Sequence, residues 1–264
     1  MTASHFPTST YSVIDKSLVR IGEQEYESLL TYNLFVKTEE DLDFDISINR
    51  TDFKVNQQKI DTKFLEISNQ YMEALFPLGC NIENYTLKII NLNDIKERIL
   101  KEDSKIRDQY SGEGVNHIRS QFLTATETDE KLSEFINQLH FMKVLNLGIQ
   151  KFKQKQGYFL KWNILPICYS EWKGNISYST DTNSLHFEPK IDNAQEIMDE
   201  IINYVHTHEY NLDFEEENLP LYADFNHLVN YTGKTGRMAS SETHICIEVK
   251  NKFYYQQTFK INTK

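Results

Sequence analysis

Cysteine is scarce in this chain: Cys80, Cys168 and Cys246 are odd in number and far apart. They give neither the short paired spacing of a zinc site nor a disulfide framework, so reduced and mostly buried thiols are expected. Long apolar runs are missing too. No window approaches eighteen apolar residues, so neither a membrane-spanning helix nor a membrane partner is expected. The opening "MTASHFPTST" has no basic n-region and no apolar stretch, so it does not read as a secretory signal and the expected location is cytoplasmic. Basic residues are in deficit, 28 against 39 acidic, for a formal net charge of −11. Affinity for a phosphate backbone draws on clustered Lys and Arg, so nucleic acid is not expected as the partner.

Catalytic motifs are equally thin. There is no Gly-x-Ser-x-Gly, His-Glu-x-x-His or Ser-x-x-Lys. The glycines of "YSGEGVNH" enclose Glu113, which repels an anion, and the stretch reads as a connector between helices. "NYTGKTGRM" has Val229 where a phosphate loop needs its first glycine, and it reads as a turn between strands.

What is present suffices for a core. Alternation of apolar and polar residues marks strands. It runs through Leu30, Tyr32, Leu34 and Val36, then "DLDFDISI", and later through Tyr158, Leu160, Trp162 and Ile164. The end of the chain reads as a hairpin, with Ile245, Ile247 and Val249 on one arm and Phe253, Tyr255, Phe259 and Ile261 on the other. Spacings of three and four predict helices near 62–76, from Asn91 or Asn93 onward, and near 194–206. Leu132, Phe135, Ile136, Leu139, Met142, Leu145, Ile149 and Phe152 predict one long helix over 129–153.

The expected fold is therefore α+β, with antiparallel sheets from the N-terminal and C-terminal segments packed on a central helical block at about 92–154. Residues 1–25 read as a flexible arm and 26–264 as one domain. Hairpin, helix and strand recur in that order, with "KID" at 59–61 and 190–192 before a helix each time. The alternative organisation is two similar halves, about 26–115 and 155–264, joined by the long helix.

The stretch "EEDLDFDISINRTD" places acidic and polar residues at calcium-loop spacing, but Ile46 and Asp52 stand where such a loop needs Gly and Glu. Its period of two predicts instead a strand with one acidic face, and Glu39, Asp41, Asp43 and Asp45 become candidates for docking a basic partner. His206, His208 and Glu209 are the candidate metal ligands, although a two-residue spacing cannot share an ion on a helix. Cys168 with His186 and Cys246 with His244 can be drawn as thiol and base, with pleat geometry the plainer account of the second pair. Tyr254, Tyr255, Trp162, Trp172 and Tyr178 are candidates to line a groove. No cofactor is expected. The leading expectation is a non-enzymatic interaction or assembly subunit that binds a basic protein surface or itself. The alternatives are a metal-assisted or His/Glu hydrolase, with Asp224 as a further candidate, and a carrier of a small apolar ligand.

Overall fold

A computed structural model describes residues 8–39, 44–58, 60, 62–152, 157–164, 166–212, 214, 220–233 and 237–264. The described residues are α+β, dominated by antiparallel strands with six α-helices. Among them no helix is long and apolar enough to cross a membrane. Contacts gather the chain into two compact units, one of Met1–Ser12, Thr31–Asn146 and Thr263–Lys264, the other of Val13–Leu30 and Leu147–Asn262.

Within the stretch 1–25, expected as a flexible arm, the residues from Ser9 to Ile21 are ordered as a strand. Ser9–Ile21 is strand β1, and it turns at Gly22 into β2 (Gln24–Thr38). Tyr11, Val13, Val19 and Ile21 point inward, but Ser, Thr, Asp and Lys separate them, so the alternation is diluted and the segment looks polar. Gly22 sits at φ +59°, where L side chains are strained, and its N–H donates to the Lys252 carbonyl at 2.9 Å. A Cβ there would stand 3.0 Å from Leu212.

The first unit continues with β3 (Ile46–Val55), α1 (Lys63–Ala74), β4 (Leu78–Glu83) and β5 (Thr86–Ile89). Its strand order is β5-β4-β3-β2-β1. β4 and β5 join through Asn84 and Tyr85, both at positive φ as a two-residue hairpin turn requires. Thr62 caps α1 by accepting from Leu65 N–H. Arg50 is buried with Phe53 and Phe76 rings 4.6 and 5.4 Å from its guanidinium, and it donates to Glu73 at 2.7 Å and to Asn69 at 2.8 Å.

Helices α2 (Leu92–Gln109), α3 (Glu113–Ala125), α4 (Asp129–Asn137) and α5 (His140–Ile149) follow. The expected single helix over 129–153 is broken at Gln138–Leu139, where three-residue closures replace the α ladder, and a 3₁₀ turn takes over at Gln150. The two pieces have different solvent relations. α4 buries one stripe, Leu132 and Ile136, whereas every residue from Phe141 to Ile149 is buried, so α5 has no wet face to maintain. The polar members of α5 are consequently tied: Asn146 accepts from Leu87 N–H at 2.7 Å.

The second unit holds β6 (Gly157–Ile164), β7 (Cys168–Ser179), β8 (Ser184–Phe187), β9 (Lys190–Ile191), α6 (Ala194–Thr207), β10 (Leu221–Thr232), β11 (Arg237–Val249) and β12 (Phe253–Thr263). The strand order is β2-β1-β12-β11-β10-β8-β7-β6, with β9 beside β7. Its core is aromatic: Trp162, Trp172 and Phe187 all meet or flank Phe225 at 5.1–5.9 Å. Gln257 is the polar hub, since its Oε1 accepts from Trp162 Nε1 at 2.7 Å and Tyr255 hydroxyl at 2.8 Å while its Nε2 donates to Asp15 at 2.6 Å.

One device occurs in both units. Asn91, before α2, accepts from Gly79 N–H at 2.8 Å and donates to the Pro77 carbonyl at 3.1 Å. Asn193, before α6, accepts from Glu171 N–H at 2.8 Å and donates to the Tyr169 carbonyl at 3.1 Å. Each amide imitates one rung of a strand, and neither side chain makes a capping bond to its own helix.

Candidate functional site

The second unit has a wet sheet face fixed by register. Phe225, His227, Val229 and Tyr231 of β10 point inward, so Tyr222, Asp224, Asn226 and Leu228 point outward. Pairing aligns them in rows: Tyr222 with Glu248 and Tyr254, Asp224 with Cys246 and Gln256, Asn226 with His244 and Thr258, Leu228 with Glu242 and Lys260. These outward positions are exposed or half-buried.

The face is internally hydrogen-bonded. Glu242 takes the Lys260 ammonium at 2.7 Å and His244 Nε2 at 2.6 Å, and the Lys260 bond holds its carboxyl below the usual range against the effect of burial. His244 Nδ1 meets the Thr258 hydroxyl at 3.1 Å, which occupies its second nitrogen. Burial pushes the Cys246 thiol up, outweighing the opposing effect of its bond with Tyr254. His244 and Cys246 thus share a face by pleat, with neither a free base nor a thiolate. The other drawn pair is separated: Cys168 opens β7, whereas His186 lies opposite Ser177 near its far end, and burial pushes the Cys168 thiol up to about 12.

At the Tyr222 row the face runs into a cleft of about 860 Å³. Its walls are three turns: Arg20–Gln24, Tyr210–Leu212 and Glu248–Tyr254. Arg20 lies 5.0 Å over the Tyr254 ring. The Tyr26 and Tyr210 hydroxyls approach to 3.2 Å, and that bond pushes Tyr210 up to about 12. Of the aromatics expected in a groove, Tyr254 lines this cleft, Tyr178 is exposed, and Trp162, Trp172 and Tyr255 are core.

The expected ligand set at the end of α6 is not assembled. His208 stacks on Tyr204 at 4.0 Å and its Nδ1–H donates to the Tyr204 carbonyl at 2.8 Å. His206 is exposed in the last turn, and Glu209 closes it at φ +56° with its N–H on the His206 carbonyl. Among the described residues no group of three His, Cys, Asp or Glu is placed to hold a metal.

The acidic comb is only partly on view. Asp41 and Asp43 lie outside the described residues. Glu39 and Asp45 are not on a strand, because β3 begins at Ile46; Glu39 N–H donates to the Asp45 carbonyl, and the Glu39 carboxylate pairs with Lys37 at 2.7 Å.

The first unit carries a second hollow, about 340 Å³, between α1, α3 and α4. Beneath it the fully buried Tyr71 donates to Asp103 at 2.5 Å, and Arg119 grips the same carboxylate at 2.9 and 3.0 Å. Burial disfavours the Asp103 charge, but the bonds from Arg119 and Tyr71 outweigh it and hold the carboxyl below its usual range. The sequence offers a trace of this hollow in the spacing of Val115, Ile118, Phe122 and Ala125. The cleft leaves no such trace, since three turns remote in sequence build it.

No family model matches the sequence. No curated protein matches it either. Among solved structures the chain is similar to one described as lipid–protein interactions in lipovitellin, with 10% identity and a TM-score of 0.48. The match covers 98% of this chain and 25% of that one, so the chain spans a quarter of the length of the lipovitellin chain.

Proposed function

We propose that the protein is a non-enzymatic interaction or assembly subunit, and that the wet sheet face of the second unit receives its protein partner. One observation carries this reading: along four cross-strand rows the outward residues present carboxylates, amides and tyrosines to solvent, while the groups able to do chemistry are committed to structural bonds. Aromatic side chains among polar groups suit a surface that is buried on association. Asp224 and Glu248 bias the rows toward a partner with a basic patch, in keeping with the net charge of −11, while Glu242 is already paired with Lys260.

The test is affinity capture from the native cell, with cross-linking to map the contact, alongside light scattering of the purified protein. A partner or a self-associated form cross-linked through the Asp224–Glu248 rows is expected, and Asp224→Lys with Glu248→Lys should abolish it. A monodisperse, partner-free chain ends the proposal.

A further inference from the structure

We propose that the hollow between α1, α3 and α4 is a binding site for a small, flat, neutral apolar molecule with one polar head. α3 shows why a space exists there. It has no fully buried residue, and Val115, Ile118 and Phe122 are only half covered although they lie on one face. The helix is anchored through the Arg119–Asp103 pair and the stack of Phe122 on Tyr71, so its apolar stripe is docked without being filled. A space of about 340 Å³ matches the lower end of ligand sites, roughly 300–1,000 Å³. Ten residues line it, against roughly 20–30 on each side of a standard protein interface.

The lining selects the chemistry. Among the described residues no Lys, Arg, Asp or Glu lines the hollow, so an ionised ligand would lose water without gaining a counter-charge. Phe122 stacks on Tyr71 at 4.7 Å and meets Phe135 edge-on at 5.4 Å. One further ring extends that arrangement of faces and edges. Phe64, 61% exposed, stands at the mouth, where a bound ring would cover it. The polar lining is Ser68, His117 and Gln121, which can bond one hydroxyl or carbonyl head.

The experiment titrates the full chain with the neutral fluorophore N-phenyl-1-naphthylamine. A saturable, blue-shifted rise at one probe per chain is expected. Ala125→Phe, which fills the space, and Gln121→Trp, which covers its rim, should each weaken binding at least tenfold with an unchanged unfolding midpoint; Q121W keeps the test alive if A125F does not fold. Absence of a saturable rise, or wild-type affinity in a folded variant, overturns the proposal, as does displacement of the probe by an amphipathic helical peptide that binds more tightly than any neutral ring compound. D224K/E248K should leave probe binding untouched, so failure of the wet-face reading and failure of this one are separable.

Discussion

In the first unit, the helical one, charged side chains are buried in ion pairs, Asp103 with Arg119 and Arg50 with Glu73, beside neutral Thr126 and Asn146, whereas in the second, the sheet unit, the buried polar groups are neutral, Gln257, Ser170, Thr243 and His227 among them. The difference follows from what surrounds them. One partner of each ion pair, Arg119 and Glu73, keeps contact with water at 20% and 40% exposure, whereas Gln257 and His227 are shut in at 3% and 0%. Breaking the two kinds of network should therefore cost different amounts.

Among single substitutions the largest loss is expected from Arg119→Met, which strands the Asp103 carboxylate beside Tyr71: about 3 kcal/mol by urea unfolding at neutral pH, with most of it recovered in D103L/R119M. In the sheet unit Gln257→Leu removes the acceptor of Trp162 and Tyr255, for about 2 kcal/mol. A larger loss from Gln257 than from Arg119 would invert the comparison.

Acidification should separate the units further. Burial lowers His227 from 6.5 to about 3, so the unfolded chain binds a proton that the folded one refuses throughout that window. Stability is complete above pH 6.5 and falls by up to about 1.4 kcal/mol per pH unit below it, toward pH 3. Asp103 has the opposite chemistry, a depressed carboxyl, and its contribution is lost only as pH falls below about 4. Unfolding free energies from pH 7.5 to 3.5 should bend first near 6.5, and His227→Leu should remove that bend alone. Smaller again, Asn91→Ala and Asn193→Ala should each cost about 1 kcal/mol, alike in both units because the amides make the same two bonds. Smallest of all, Lys260→Met on the half-exposed wet face should stay within about 0.5 kcal/mol and vanish in high salt.

The sheet unit was the more legible in sequence, for a physical reason. Alternation in "LYADFNHLVNY" and "ETHICIEV" survives because inward and outward positions differ sharply in character, and it placed Ile245, Ile247 and Val249 on the buried side. It failed at β1, where serines and threonines fill positions on both faces, and at Glu39 and Asp45, where an acidic alternation precedes the strand. The α4–α5 break was hidden because a buried helix and an amphipathic one can share a period. Of the candidate groups, the pleat relation of His244 and Cys246 was readable, while the cleft required knowing that three distant turns converge.

The partition of the long hairpin has a consequence for how the molecule can be made. Residues 13–30 belong to one unit and 31–38 to the other, and Lys264 N–H donates to the Thr10 carbonyl. Each unit is therefore assembled from separate stretches of chain, and no single cut divides the units into two continuous polypeptides.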